Sequence, residues 1–259
     1  MTELSLRESG TGTALVLLHA FPLSARMWQA QLDGLPGPDG SAARVLAPDF
    51  PGFGAGAPSA DPPSLDLLAD GVARLLDDRG IDRAVVGGLS MGGYVALAFA
   101  RRHPDRLRGL LLADTKASAD TEAARVNRER IAAAVLARDS VRLLAEERLE
   151  STLLGPAAAP ELVAAVRALI AAATPAGVAW AQRAMAARPD SFEVLAGLRV
   201  PAAVLVGAQD ALTPPEDARA MVRALPDARL TVIEGAGHLS ALEAPQAFDA
   251  AVRELLRRV

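Results

Sequence analysis

Ser90 stands in the pentapeptide Gly88-Leu89-Ser90-Met91-Gly92, with a glycine two positions to either side. A hydroxyl is a weak nucleophile until a base takes its proton, so a serine set for attack on a carbonyl needs a histidine within reach. That histidine in turn needs a carboxylate to hold its tautomer and stabilise its cation. The chain has three histidines. His103 falls near the end of the helix expected after Ser90, about a dozen residues on and roughly 18 Å away, and reads as a surface helix terminus. His19 ends an apolar run and shapes the loop that follows it. His238, in Gly235-Ala236-Gly237-His238-Leu239, comes after the last apolar run, where small flexible residues can present its ring toward Ser90; it is the expected base. Two carboxylates compete for the third place: Asp210 in Gly207-Ala208-Gln209-Asp210, and Asp114 after Leu110-Leu111-Leu112-Ala113. A tetrahedral intermediate also needs two donors for its oxyanion. The backbone amides of Met91, next after the serine, and of Phe21, in His19-Ala20-Phe21-Pro22, are the candidates.

Such groups must be carried by a framework that brings distant loops together. Short Val- and Leu-rich runs at 14–19, 44–48, 83–87, 107–113, 201–206 and 229–234 alternate with helical patterns at 25–32, 65–79, 91–102, 216–225 and 245–257. This is the signature of an α/β protein with a mostly parallel, doubly wound sheet covered on both faces. Residues 4–8 alternate and predict an edge strand. Ser90 sits between a strand and a helix, where the flanking glycines permit the sharp turn that exposes the hydroxyl and aims helix N-terminal amides beside it. A dinucleotide site is the competing reading of Gly87 to Gly93. It fails because the glycines are not spaced Gly-x-Gly-x-x-Gly and the turn does not follow the first strand. From 116 to 198 no strand pattern is visible, only Ala-, Arg-, Glu- and Leu-rich helix with room for about four helices. That stretch is expected to form a cap over the carboxyl edge of the sheet. The domains are therefore 1–115 with 199–259 as the core, and 116–198 as the helical cap insertion.

The composition narrows the chemistry further. The chain has 259 residues, 51% of them hydrophobic, and a formal net charge of -4 of mixed sign, which argues for one core and against a nucleic-acid partner. Its first residues carry no basic stretch followed by an apolar run, so a cytoplasmic protein with no membrane association is expected. With no cysteine there is no disulfide, thiol nucleophile or thiolate metal site, and no metal or organic cofactor is implied. Lysine occurs once, at Lys116, among abundant arginines, which reads as composition bias without functional meaning.

Five motifs in order carry a resemblance to the α/β-hydrolase superfamily over nearly the whole chain: His19-Ala20-Phe21-Pro22, Asp49-Phe50-Pro51-Gly52-Phe53-Gly54, Gly88 to Gly93, Gly207 to Asp210 and Gly235 to His238. Where the family more often has glycine, Ala20 is a small departure that leaves the Phe21 amide available. The resemblance implies that Asp210 is the acid, because it lies on the strand just before the one leading to the histidine, in the order Ser90, Asp210, His238. It gives Asp49 to Gly54 a structural role as a turn, and sets the cap between the sixth and seventh strands. Within the superfamily, Gly88 to Gly93 with Leu111-Leu112-Ala113-Asp114-Thr115 most resembles 3-oxoadipate enol-lactonases and small carboxylesterases. The implied substrate is then a small ester or lactone. An enol-lactone substrate would carry carboxylates, for which Arg125, Arg128, Arg183 or Arg188 of the cap should reach the pocket. Met27, Trp28, Met91, Leu153, Trp180, Met185 and Leu239 are candidate pocket walls. Two alternatives stay open: the same fold and triad used for carbon-carbon bond hydrolysis, perhydrolysis or a lyase reaction, and a hydrolase-like protein that binds ligand without turnover. Oligomeric state is not legible in the sequence.

Overall fold

The computed structural model describes residues 4–37 and 43–259; residues 1–3 and 38–42, which fall within the expected core range 1–115, lie outside them. Seven strands form one sheet: β1 (Leu6–Ser9), β2 (Thr13–Leu18), β3 (Ala43–Pro48), β4 (Ala84–Leu89), β5 (Leu107–Ala113), β6 (Ala202–Gly207) and β7 (Ala228–Ile233). Their order is β1-β3-β2-β4-β5-β6-β7. Only β1 runs antiparallel, against β3, as an edge strand; the other neighbours are parallel. The β2, β4 and β6 runs are buried almost throughout because helices cover both faces, so an apolar run rather than an alternating one is what such a strand requires.

Those helices are α1 (Gln29–Gly34), which continues a 3-10 turn over Ala25–Trp28, α2 (Leu65–Asp78) and α3 (Met91–Arg102) on the first half of the chain. Then come α4 (Glu122–Ala137), α5 (Arg142–Glu146), α6 (Leu149–Leu153), α7 (Pro160–Ala171), α8 (Pro175–Ala186) and α9 (Phe192–Gly197), followed by α10 (Pro215–Ala224), α11 (Ser240–Glu243) and α12 (Pro245–Leu256). Starts are set by local chemistry: Ser64, Thr121 and Thr174 each accept a backbone N–H of the first turn of α2, α4 and α8. The central helix α3 is buried over Met91–Ala100, an environment that only its Ala-, Gly- and Leu-rich sequence suits.

The helical excursion holds six helices where about four were expected, since α5 and α6 span only five residues each and leave no periodic trace. It leaves the sheet after β5 and returns at β6, between the fifth and sixth strands rather than the sixth and seventh; one strand fewer precedes Ser90 than that ordinal requires. Helix α8 runs along α4 and meets the turn after β3, where Thr174 donates its hydroxyl to Gly52 O at 3.0 Å. A Cβ on Gly177 would stand 2.6 Å from Gly52 O, so glycine is what allows that approach. Among the described residues no single helix is long and apolar enough to cross a membrane.

The chain steps from β2 to β3 on one side and then back to β4 on the other. At such a switch point the loops leaving the two strands diverge and open a crevice at the carboxyl edge. The loops concerned begin at His19 and at Ser90.

Candidate active site

Ser90 occupies the turn between β4 and α3 with φ 57° and ψ -113°, a left-handed conformation that costs a non-glycine residue about 1–3 kcal/mol. Close packing over-determines it. The Ser90 amide donates to Ala113 O at 3.0 Å, its carbonyl accepts from Thr115 Oγ1 at 2.9 Å, and a Cβ on Gly92 would lie 2.0 Å from Leu18 O. The glycine at 88 is equally required, since a Cβ there would stand 2.4 Å from the Gly92 carbonyl carbon. The pentapeptide therefore threads between β2 and β5 with no room for a side chain at Gly88 or Gly92.

His238 is buried in the loop between β7 and α11, and its Nδ1 lies 2.8 Å from Asp210 Oδ2. Asp210, in the loop after β6, is buried too and receives three more hydrogen bonds: Thr213 Oγ1 to Oδ2 at 2.7 Å, and the amides of Leu212 and Thr213 to Oδ1 at 2.8 and 3.0 Å. Burial pushes its carboxyl up, but the bond and charge of His238 and the bonds from Thr213 outweigh that and hold it below the usual carboxylate range. An ionised Asp210 accepts a hydrogen bond from Nδ1–H of the ring, which keeps the proton on Nδ1 and leaves Nε2 as the basic nitrogen. The small residues before His238 have a packing reason: a Cβ on Gly207 would sit 2.0 Å from Gly237 O. Glu243 then clamps the loop, accepting the amides of Gly237, Leu239 and, from the inserted helices, Gly155.

Asp114 does not touch His238. At φ 43° it is fully buried, accepts from Gly207 N at 2.8 Å, and receives the hydroxyl and amide of Ser240. It ties together the ends of β5 and β6 and the start of α11. Burial pushes its carboxyl up to about 7 against the opposing pull of His238 and Ser240. His19 is buried against Phe50 and Phe53 and accepts the Phe50 amide at Nε2, 3.0 Å, while Nδ1 lies 3.0 Å from Ala20 O. Burial drops its pKa to about 4, so it is neutral and pins the β2 loop to the turn after β3. Asp49 anchors that turn by accepting the amides of Ala25 and Ala55. His103 caps α3 at the far end beside Asp70, 2.8 Å away. No hydrogen bond from the amide of Phe21 or Met91 to another protein group is found among the described residues. Phe21 lies on the loop after β2 and Met91 directly after Ser90, the two loops that leave the switch point.

A cavity of about 300 Å³ has Ser90, His238 and Phe21 on its wall, with Leu153, Met185 and Ile131 on the side of the inserted helices. Trp28, Trp180 and Leu239 do not line it. Trp28 is fully buried against Phe248, Leu239 is fully buried, and Trp180 faces another hollow and donates its indole N–H to Asp61 O at 2.8 Å. Met27 is also fully buried, its sulfur receiving the Ala20 amide, and Met91 lies under the turn with no exposed surface. Of the four arginines only Arg128 reaches the cavity. Arg125 and Arg183 pair with Glu122 and Glu129 at the surface, and Arg188 is buried on Asp120 with its guanidinium 4.0 Å over the Tyr94 ring. The cavity also exposes residues that sequence reasoning passed over: Thr213, Asp120, Gln182, Tyr94 and Lys116. Lys116 alone had left a signal, as the chain's one lysine.

Comparison with known proteins gives the family of the chain. Residues 15–251 match the model of the alpha/beta hydrolase family. The chain is 32% identical over 250 residues to a pimeloyl-acyl-carrier-protein methyl ester esterase of Neisseria meningitidis serogroup C, covering 94% of this chain and 93% of the relative. It is 28% identical over 250 residues to 3-oxoadipate enol-lactonase 2 of Acinetobacter baylyi, covering 95% and 89%. Among solved structures, a thermophilic esterase from Thermogutta terrifontis with malate bound superposes with a TM-score of 0.94 at 42% identity, covering 99% of this chain and 93% of that one.

Proposed function

Because this chain belongs to the alpha/beta hydrolase family and matches esterases and a lactonase over nearly its full length, we propose that it cleaves small carboxylic esters or lactones through an acyl-enzyme on Ser90. His238 is the base and Asp210 the acid behind it. The observation that carries this reading is that Ser90 and His238 share the wall of one cavity while Asp210 binds Nδ1 of the same ring.

The chemistry follows from those positions. His238 Nε2 takes the Ser90 proton as Oγ adds to the substrate carbonyl, and the amides of Phe21 and Met91 receive the oxygen that becomes negative. Collapse breaks the ester bond, and the proton on Nε2 goes to the departing alkoxide; in a lactone the leaving oxygen stays tethered to the acyl chain. Water then enters, gives a proton to Nε2, attacks the acyl carbon and releases the acid as the proton returns to Ser90. Residues 1–115 and 199–259 act as the catalytic core, and 116–198 as a cap whose Leu153, Met185 and Ile131 give the acyl group an apolar wall. A cavity of about 300 Å³ suits short acyl chains.

A panel of p-nitrophenyl esters from acetate to longer chains tests the reading. Turnover should be fastest for short chains and fall by several orders of magnitude in Ser90→Ala and in His238→Ala, both still folded. Wild-type rates in either variant contradict it.

A further inference from the structure

The cavity beside Ser90 holds more positive charge than its own carboxylate balances. Its charged walls are Lys116, Arg128 and Asp120. Asp120 is bonded to Arg128 through Oδ2 and to Arg188 through Oδ1, so one carboxylate is shared between two guanidinium groups. Arg128 gives Nε to Asp120 and Nη1 to Gln182 Oε1 at 2.9 Å, while its Nη2 makes no hydrogen bond within the protein among the described residues. Lys116 makes neither an ion pair nor a hydrogen bond through its side chain there; the Asp217 carboxylate feels its charge through space.

Lys116 is also fixed relative to the nucleophile. It directly follows Thr115, whose hydroxyl is bonded to the Ser90 carbonyl and whose side chain fills the space over Gly93. In a chain where every other basic side chain except histidine is arginine, this position alone carries a compact ammonium on a flexible stem. That group can swing onto one substrate oxygen, whereas the guanidinium of Arg128 stays locked on Asp120 and Gln182.

We infer that Lys116, with Arg128 Nη2, binds a carboxylate carried by the substrate away from the scissile bond, so that the preferred substrate is a short ester or lactone that is also an anion. The inference rests on the hydrolase reading of Ser90. Lys116 acts here as a specificity residue that touches substrate, and the fully bonded Asp120 holds Arg128 in place for it.

The test compares near-isosteric esters, stable in water, that differ in one charge: monomethyl adipate against methyl hexanoate, with the carboxylate on the acyl side, and 4-acetoxybutanoate against pentyl acetate, with it on the alcohol side. Proton release gives kcat/KM for each. The wild-type protein should favour the anionic member of at least one pair by roughly tenfold to hundredfold, the range of one charge-assisted hydrogen bond. Lys116→Met and Lys116→Gln should lower that ratio about tenfold, and added salt should lower it in the wild type. Both substitutions remove no bond from the fold, and fluorophosphonate labelling of Ser90 in each variant reports that the site remains assembled. A wild-type protein that does not label contradicts the hydrolase reading. One that labels but shows no anionic preference in either pair, or turns over none of the four esters, or keeps its preference in both Lys116 variants, overturns the anion anchor alone.

Discussion

His19 offers a stability measurement whose size follows from the structure. Its ring is fully buried, with Nε2 accepting the Phe50 amide, so a proton on that nitrogen would set two donors face to face. Burial therefore lowers its pKa from 6.5 to about 4, against the opposing pulls of the Ala20 carbonyl and Asp49. The folded pKa is depressed, so the unfolded chain binds the proton first. The contribution of neutral His19 is complete above about pH 6.5 and is lost as pH falls toward about 4, at about 1.4 kcal/mol per pH unit. Between about pH 7.5 and about pH 4.5 the loss comes to about 2–3 kcal/mol. His19→Gln keeps an acceptor but cannot titrate. At neutral pH it should be less stable than the wild type, because it loses ring contacts with Phe50 and Phe53. Urea unfolding of both proteins at the two pH values gives the double difference, in which titrating groups that do not interact with His19 cancel. The stability gap between them should shrink by about 2–3 kcal/mol on acidification. A gap that stays constant, or widens, refutes a buried neutral His19.

Two further perturbations address the acid and the turn. Asp210→Asn should lower kcat by about 10³–10⁴ through loss of the correct tautomer, while Asp114→Asn should act mainly on stability, by about 1–3 kcal/mol, because one of the two oxygens that accept from Gly207 and Ser240 becomes an amide donor. Steady-state kinetics of the pair would reverse the assignment if Asp114→Asn proved the more damaging to kcat. Gly92→Ala forces a Cβ to 2.0 Å from the Leu18 carbonyl oxygen and should cost at least about 3 kcal/mol or prevent folding, which thermal unfolding reads directly; a wild-type Tm would show that the turn can relax.

Much of the site is legible in the sequence because its members sit at strand ends. A serine between glycines after β4, an aspartate after β6 and a histidine after β7 are local signals, and a parallel sheet gathers those ends along one edge. Pocket walls are not local. Trp28, Trp180 and Leu239 are as apolar as Leu153 and Met185, and only the packing of α8 and the first helical turn decides which of them faces the cavity. The ion cluster was hidden for a related reason, since Arg128 finds its partners at Asp120 and, 54 positions away, at Gln182. Lys116 was visible as a rarity, but its meaning depends on the bond of Thr115 to Ser90 and on its side chain making no ion pair at contact distance among the described residues, and neither is written in the order of residues.

The central claim is that Ser90 is an activated nucleophile, and labelling by a fluorophosphonate followed by peptide mapping tests it most directly. The account predicts one phosphonyl group per chain, on the peptide that contains Ser90, with labelling slowed strongly in His238→Ala and abolished in Ser90→Ala. Folded protein that takes up no label, or that labels equally well after Ser90→Ala, would contradict it.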